Sequence, residues 1–527
     1  MGNDTRSRER SLWILPAVLT LCALLVLVLP LAGMITHMNG ASIRAVFQQD
    51  ALGAVIGRSI LASLLTTAIS LVLAYLLAWC MVRTDIPGKK VFRVLVILPM
   101  LIPSVSIGMG VVLLGGNSGI LTKLFGLTAS HIYGLPGILW GSVLYSLPVA
   151  FLMMENILKF EDSAPYEMAR ILGIPRRNQF AAITLPYLRK PLIAVVFSVF
   201  TLSFTDYGVP LMVGGKFKTL PVVLYQEVIG QLNFDKGCVY GSILLIPAIL
   251  AFLLDLANKN KSNGAFVTKP FEIAPNRTRD GAALVCTAAL ALFSVLPILS
   301  FVVLAFVKKY PTDLSLTLEN IVDTFRMRGG DYLMNSIVIA LCVAVIGVVV
   351  AVLMAYLTAR TDLRGVRVLH LAAMATGAIP GVVLGLAYVL FFKGSPIYGT
   401  LVILIMANTV HFFSSPYLMM YNAFSKVNEN LESVAATLGI SRVRLLKDIL
   451  LPRCKDTVGE MFSYFFVNCM MTISAVSFLA ATRTKPVALM INQFEAQGQM
   501  EAAAVVSLMI LLVNIAVKAI AEGKKDR

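Results

Sequence analysis

Long apolar stretches are the feature that most limits how this chain can fold. Twelve of them occur, and each approaches the ~20 apolar residues that a helix needs to cross a bilayer. They lie within residues 12–36, 58–82, 91–115, 136–158, 191–214, 238–257, 281–307, 334–359, 368–392, 399–424, 456–480 and 498–520. We therefore predict an all-α polytopic membrane protein with about 12 transmembrane helices.

The composition agrees with a chain whose main solvent is lipid. Of the 527 residues, 58% are hydrophobic and 14% are charged, and the mean hydropathy is +0.83. Soluble domains carry about 25% charged residues, so a water-soluble core could not hold this much apolar surface. The first apolar stretch follows MGNDTRSRER, is long for a signal peptide and has no A-x-A cleavage site. We therefore predict a retained first helix.

The distribution of positive charge predicts the orientation. With both termini in the cytosol, the cytosolic segments hold 31 of the 44 Lys and Arg residues and the external segments hold 13. Cationic side chains are retained on the cytosolic side of a membrane. The net charge of +16 is then explained by membrane orientation, and no nucleic-acid partner is expected.

An internal repeat divides the chain. RSILASLLTTAISLVLAYLLAWCMVRTD (58–85) aligns with NSIVIALCVAVIGVVVAVLMAYLTARTD (335–362) at an offset of 277 residues. The aligned pairs are Ser59 with Ser336, Arg83-Thr84-Asp85 with Arg360-Thr361-Asp362, Gly88 with Gly365, Pro103 with Pro380 and Gly108 with Gly385. Six spans per half predict two parallel repeats, related by a pseudo-two-fold axis along the membrane normal. We assign residues 1–257 to the first repeat, 258–280 to a cytosolic linker and 281–527 to the second repeat.

A charged segment follows the fourth span of each repeat, at about 159–190 and 425–455. EMARILGIPRRNQFAAITLP (167–186) and SVAATLGISRVRLLKDILLP (433–452) align on Gly173 and Gly439. Each has an alanine four residues before the glycine and a proline thirteen residues after it. The pattern predicts a short helix with a glycine C-cap, a second amphipathic segment, and a proline that stops or redirects the chain. We interpret the alanines as letting a partner approach closely. The recurrence favours docking segments over ordinary solvated loops.

At these residues the chain resembles the permeases of binding-protein-dependent ABC importers, whose coupling motif is E-A-A-x-x-x-G-x9-I-x-L-P. The resemblance covers nearly the whole chain and is to fused, duplicated permeases of the ferric-iron, thiamine and 2-aminoethylphosphonate type, with the fold of type I importers. It implies a short coupling helix in each repeat that inserts into a cleft of an ATP-binding subunit. The implied coupling residues are Glu167, Ala169, Gly173, Pro186, Glu432, Ala435, Gly439 and Pro452. The second copy departs from the motif, because Ser433 occupies the place of the glutamate and Glu432 precedes it.

The energy source is expected on other subunits. The chain has no GxxxxGK[ST] phosphate loop, and its Cys, His and acidic residues show no catalytic or metal-ligand spacing. We therefore expect no enzyme activity, catalytic residue, metal site or cofactor in this subunit. The expected partners are two copies of an ABC ATP-binding subunit, which bind the ATP, and an extracytoplasmic substrate-binding protein, at a prokaryotic cytoplasmic (inner) membrane.

Ionisable residues inside spans are functional hypotheses by default. Asp206 lies in or near the fifth span, with Thr205 and Tyr207 beside it, and its repeat equivalent lies near Thr472. Two interpretations remain open at this point. Asp206 is either a carboxylate of the substrate pathway or a hydrogen-bonding group that packs helices together.

The cargo and the transporter class also have alternatives. Residues 204–255 resemble permeases for 2-aminoethylphosphonate, which is our leading hypothesis, with ferric iron or thiamine as alternatives. A secondary carrier of the major facilitator type is the alternative class, because its basic loops would occupy the places of RTDIPGKKVFR (83–93) and RTDLRGVRVLH (360–370). A membrane scaffold or insertase is a further option on topology alone. The two docking segments favour the ABC permease.

Overall fold

The computed structural model describes residues 15–126, 131–259, 269, 271–361, 363, 365–428 and 430–523. Helices of the first repeat are Leu15–Thr36, Gly40–Phe47, Leu52–Arg83, Lys89–Ile97, Ser104–Gly115, Ile120–Leu124, Leu135–Lys159, Ala164–Ile171, Arg177–Thr205, Gly208–Val213, Leu220–Gly230 and Phe234–Lys259. Those of the second are Arg277–Ala305, Glu319–Arg326, Gly329–Arg360, Val366–Ala375, Gly381–Phe392, Leu401–His411, Ser414–Ser425, Asn430–Thr437, Arg442–Leu445, Lys455–Met471, Ala488–Ala496 and Met500–Gly523. Short 3₁₀ turns cover Leu98–Leu101 and Thr376–Ala378, and one antiparallel hairpin joins Val307–Lys309 to Asp313–Leu316.

The predicted all-α membrane fold is confirmed. Within the described residues, nine helices are long and apolar enough to cross a bilayer, and two bent helix pairs raise the number to eleven. The eleventh predicted span, 456–480, is shorter than expected, because the helix Lys455–Met471 ends after 17 residues. Its C-cap, Thr472, has an extended backbone, and the apolar residues that follow form turns.

Prolines break the third span of each repeat. The spans predicted at 91–115 and 368–392 are each two helices, separated at Pro103 and Pro380, and the second pair is bent by 109°. A proline disfavours helical backbone in the residue before it, and Ile102 and Ile379 are accordingly extended. Each of these predicted spans is therefore interrupted within its length and is not one continuous helix.

The repeat is visible in the backbone at the RTD sequences. Thr84 and Thr361 end equivalent 32-residue helices in the same extended conformation. Gly88 and Gly365 then begin the next helices with φ of +73° and +93°. Asp362 lies outside the described residues.

The first helix of each repeat packs against the other repeat. Leu15–Thr36 contacts Gly381–Phe392, where Tyr388 Oη donates a hydrogen bond to the carbonyl of Val26 at 2.6 Å. Arg277–Ala305 contacts Ser104–Gly115 in turn. The two repeats are therefore interlocked rather than laid side by side.

One crossing between the repeats depends on a glycine. A Cβ at Gly110 would lie 2.6 Å from Pro297 Cβ and 3.2 Å from its Cα. We expect Gly110→Ala to destabilise the protein by about 1–3 kcal/mol through overpacking, measured as a lower Tm in detergent. Gly57→Ala is the matched control, because a Cβ there meets nothing within 4 Å. Equal Tm values for the two variants would contradict the close crossing.

Candidate functional site

The two docking segments begin with helices that end in the same way. Ala164–Ile171 is followed by Gly173 at φ +68°, and the N–H groups of Ile174 and Gly173 donate to the carbonyls of Ala169 and Arg170. This pair of hydrogen bonds is the Schellman motif, which needs a left-handed residue that glycine adopts without strain. The predicted glycine C-cap is therefore present in the first segment.

The second segment repeats this geometry 266 positions later. Gly439 has φ +69°, and the N–H groups of Ile440 and Gly439 donate to the carbonyls of Ala435 and Ala436. A Cβ at either capping glycine would meet nothing within 4 Å. Glycine is therefore required at these places by its backbone conformation and not by crowding.

The alanines of the motif face inward, which corrects their predicted role. Ala169 and Ala435 are buried against the rest of this chain, so they cannot receive a partner's surface. Ala435 belongs to the main hydrophobic core, so its small size lets the second docking helix lie close to the rest of the chain. The large apolar side chains beside them are exposed: Met168 59%, Leu172 71%, Val434 53% and Leu438 68%. Met168 is the repeat equivalent of Val434, and Leu172 is that of Leu438. We call Met168 with Leu172, and Val434 with Leu438, the two apolar docking faces.

The motif prolines, Pro186 and Pro452, do not end the helices in which they lie, contrary to the prediction. The helix Arg177–Thr205 runs through Pro186, and a π turn at Phe180–Thr184 directly precedes the proline. A proline ring clashes with the carbonyl four residues before it in a regular helix, and the wider turn relieves this clash. The second segment has its π turn at the equivalent Leu446–Leu450 before Pro452, and its helix breaks only at Cys454.

A buried arginine braces the first segment. Arg83 Nη2 donates to Glu161 Oε2 at 2.7 Å and to the carbonyl of Leu158 at 2.8 Å, at the end of the fourth span. Tyr166, in the docking helix, donates to the other oxygen of Glu161 at 2.5 Å and shares a hydrogen bond with Thr184 at 2.6 Å. Burial and the neighbouring Glu161 raise the pKa of the Tyr166 hydroxyl. The docking helix is thus tied to two spans.

Arg360, the repeat equivalent of Arg83, braces the second segment more directly. Its side chain is 2% exposed, and it binds both carboxylate oxygens of Glu432, with Nε to Oε1 at 2.6 Å. It also donates to the carbonyls of Val427 at 2.7 Å and Asn428 at 2.9 Å. Glu432 was predicted as a coupling residue, and here it is a ligand of this internal arginine. Sequence reasoning used the RTD arginines to align the repeats and as part of possible carrier loops, and it missed this role.

Glu167 has a different environment from Glu432. It is half-exposed and forms an ion pair with Lys269 of the linker, with Nζ at 2.8 Å from Oε1 and 2.9 Å from Oε2. The carboxylate raises the pKa of Lys269 through the hydrogen bond and its charge. No sequence pattern indicated this contact, because the two residues are 102 positions apart.

A cavity of about 410 Å³ lies between the repeats and is lined by all four predicted pathway residues, Thr205, Asp206, Tyr207 and Thr472. Four helix breaks meet there: Ile102–Pro103–Ser104, Asp206–Tyr207, Ile379–Pro380–Gly381 and Thr472–Ile473–Ser474. Most other polar groups of the lining are hydroxyls, together with Asn468 and His411. His411 is the repeat equivalent of Tyr145, which also lines the cavity, at the 266-residue offset that relates the two docking segments. The pairing of Pro103 with Pro380 was the sequence signal for two of these breaks.

Asp206 acts as a helix cap inside this cavity. Its Oδ1 accepts hydrogen bonds from Ser104 Oγ at 2.6 Å and from the N–H of Gly208 at 3.2 Å, and Oδ2 accepts from the N–H of Val209 at 3.0 Å. Tyr207, which also lines the cavity, is stacked on Tyr225 at 4.8 Å between ring centroids. Asp206 therefore lines the cavity and also joins helices by hydrogen bonds, and its role in the substrate pathway stays a prediction.

Substitution separates these two roles. Asp206→Asn keeps an accepting oxygen for the cap, whereas Asp206→Ala removes the cap at a cost of about 1 kcal/mol. We expect the Asn variant to keep a Tm near that of the native protein and to lose several-fold in uptake, because the charge at the cavity is gone. Ser104→Ala is the control, since it removes one hydrogen bond and keeps the carboxylate. Unchanged uptake by the Asn variant would show that Asp206 serves only as a helix cap.

Two lobes, a polar cavity at their interface and a pair of equivalent docking segments define a duplicated membrane permease. Comparison with known families gives the same result: residues 70–260 and 364–523 each match the binding-protein-dependent transport system inner membrane component family. Because the matches cover more than half of the sequence, the chain belongs to this family. The resemblance noted at the sequence level is confirmed, and the chain is a multi-pass permease component of an ABC importer.

Individual relatives are similar at low identity. The ferric transport system permease protein FbpB of Actinobacillus pleuropneumoniae is 26% identical over 84% of this chain and 67% of its own length. The thiamine transport system permease protein ThiP of Salmonella typhimurium is 22% identical over 95% of this chain and 94% of its own length. The molybdenum transport system permease protein ModB of Azotobacter vinelandii, at 27% identity, matches 38% of this chain with 90% of its own length. That relative corresponds in length to a single repeat.

Proposed function

We propose that this permease carries a small polar solute through the cavity between its repeats, driven by two ATP-binding subunits that dock on the two docking segments. The observation that carries the proposal is the pair of equivalent docking helices, each with a Schellman glycine and an exposed apolar face. Exposed apolar residues elsewhere on the spans are covered by lipid. The docking helices lie in the predicted cytosol, where lipid does not cover their exposed apolar faces, so we expect a protein partner to cover them.

Each docking segment is joined to the cavity by one helix. Arg177–Thr205 starts inside the first segment and ends beside Asp206, a length of about 43 Å at 1.5 Å per residue. Lys455–Met471 follows the second segment and ends at Thr472. Movement of the docking helices by the ATP-binding subunits would therefore reach the cavity walls through these helices. Arg83 and Arg360 keep the docking helices attached to the spans during such a movement.

The remaining parts of the assembly follow the orientation predicted from charge. Both termini and both docking segments lie in the cytosol in this arrangement, and the hairpin Val307–Leu316 lies outside. The extracytoplasmic binding protein would deliver the solute to the outer ends of the spans. Cysteine accessibility at Lys308 and Arg442 in whole cells tests this orientation, with labelling from outside expected only at Lys308→Cys.

Reconstitution tests the transport mechanism. Proteoliposomes containing this chain, its ATP-binding subunit and the binding protein should accumulate solute only with ATP in the compartment that the docking segments face. A proton ionophore should not abolish this uptake. Uptake that persists without ATP and collapses with the ionophore would favour the secondary carrier instead.

For the cargo, we propose 2-aminoethylphosphonate, with ferric iron and thiamine as the other candidates because relatives carry those names. Residues 204–255 carry the phosphonate resemblance. The helices Ser104–Gly115 and Gly381–Phe392 also direct their N-terminal, positive ends at the cavity, which favours a solute with an anionic group. The carboxylate of Asp206 lies at the same cavity, where an amine would be attracted.

The binding protein gives the direct test of the cargo. Its thermal unfolding is measured with 2-aminoethylphosphonate, thiamine and a ferric chelate, with inorganic phosphate as a control. A Tm increase with 2-aminoethylphosphonate alone supports the proposal. An increase with thiamine alone, or with the ferric chelate alone, would assign that solute as the cargo in place of 2-aminoethylphosphonate. The proposed ATP-driven mechanism would be unaffected.

A further inference from the structure

The linker between the repeats rests on the first docking segment. The N–H of Ser163, just before the docking helix, donates to the carbonyl of Lys269 at 2.9 Å, and the N–H of Lys269 donates to Asp162 Oδ1 at 3.1 Å. These backbone contacts fix the position of Lys269 next to the docking helix. The far end of the linker is also attached to the first repeat, since the N–H of Asp85 donates to Asp280 Oδ1 at 3.3 Å.

Phe271 completes the brace around Arg83. Its ring lies 3.5 Å from the guanidinium carbon of Arg83 and 5.2 Å from the ring of Tyr166, measured between ring centroids. A guanidinium over an aromatic face is attracted to it, by more when both are shielded from water. The side chain of Arg83 is only 11% exposed. Phe271 therefore links the linker to the arginine that holds the docking helix.

The described surroundings of the second docking segment, residues 425–428 and 430–455, show a different arrangement. Arg360 is held by Glu432 and by backbone carbonyls of residues 424, 427 and 428, all from its own repeat. Tyr166 occupies the place in the first repeat that Glu432 occupies in the second. In the first repeat, Arg83 is therefore held by Glu161, which precedes the docking helix, and by Phe271 of the linker. The carboxylate of the docking helix itself, Glu167, binds Lys269 instead.

We propose that Lys269 and Phe271 form part of the first docking surface, so that the two ATP-binding subunits meet two different surfaces. This inference rests on the proposed function. The first surface presents the ammonium of Lys269 on Glu167, the residue that precedes the exposed Met168 in the docking helix. That ammonium is half-exposed and has three donors, of which two are directed at Glu167, so it retains capacity for an acidic group of the ATP-binding subunit. The arginine that braces the second surface, Arg360, is held by Glu432 and backbone carbonyls of its own repeat and by no linker residue that the structure describes.

Native mass spectrometry of the detergent-solubilised complex tests this, because it counts bound ATP-binding subunits one by one. We expect the native chain to bind two subunits. Lys269→Glu combined with Phe271→Ala should weaken one of the two binding steps by about tenfold and leave the other unchanged, so that a singly loaded complex accumulates. Lys269→Arg and Phe271→Tyr, which keep the cation and the ring, should retain two subunits.

Lys308→Glu is the matched control, because Lys308 is equally exposed in a loose ion pair with Asp313 at 3.9 Å on the hairpin. Two unchanged binding steps in the Lys269 and Phe271 variant would overturn the inference. Tighter binding, which would mean that the linker obstructs docking, or loss of both subunits together would also overturn it. Failure of the native chain to bind any subunit would instead contradict the proposed function.

Discussion

Uptake is expected to be lost when both apolar docking faces are made acidic. The variant carries Met168→Asp and Leu172→Asp in the first segment and Val434→Asp and Leu438→Asp in the second. All four side chains are exposed, so folding should be little affected, whereas each carboxylate opposes burial against a partner. Losing two apolar anchors per surface should reduce ATP-dependent uptake by about 100-fold or more. The measurement is uptake in proteoliposomes, together with co-purification of the ATP-binding subunit.

Leu314→Asp with Leu316→Asp is the control, since these hairpin residues are also exposed and belong to neither docking segment. That variant should keep the ATP-binding subunit. Gly173→Arg with Gly439→Arg should act in the same direction as the acidic variants, because a side chain at positive φ costs roughly 1–2 kcal/mol and distorts the Schellman motif. Retained subunit and retained uptake in the four-site variant would show that docking occurs elsewhere.

Removal of the Arg360 side chain is expected to release the second docking helix. Glu432 and the carbonyls of Val427 and Asn428 would lose their shared donor in a site where Arg360 is 2% exposed. Breaking a buried ion pair from one side costs about 3–5 kcal/mol. Amide hydrogen exchange across residues 430–455 should become faster in Arg360→Ala. Arg360→Lys should rescue little, because an ammonium cannot bind both oxygens of Glu432 and the carbonyls at once.

Arg326→Ala provides the comparison for Arg360→Ala. Arg326 pairs with Asp323 three residues earlier, and both side chains are at least half exposed, so the loss should be within about 1 kcal/mol. Exchange in the second docking segment should match the native protein in that variant. Native exchange in Arg360→Ala as well would show that the docking helix is held by other contacts.

The spans and the docking helices were predictable because their determinants are local. Hydropathy indicates which residues suit lipid. Gly173 and Gly439 indicate a left-handed backbone conformation, which other residues adopt only with strain. Hydropathy does not report where a helix stops, because the turns after Thr472 line a cavity inside the protein and are as apolar as a span. The span 456–480 was therefore predicted too long.

The roles of individual side chains were harder to predict, since they depend on distant partners. Alanine at 169 and 435 suits either a close partner or a close neighbour in the same chain, and only the fold decides between them. The contact of Lys269 with Glu167 joins the linker to a loop far away in the sequence. Asp206 offered a local signal that was not used, because an aspartate two and three residues before free N–H groups is a common cap.

The interlocked first helices have a consequence for how the protein is made. Leu15–Thr36 is synthesised before its partner Gly381–Phe392, which follows some 350 residues later. The first helix must therefore wait in the bilayer with its contact face covered only by lipid. The contact between the two halves can form only after the second half has been synthesised, so the first half cannot complete its packing on its own.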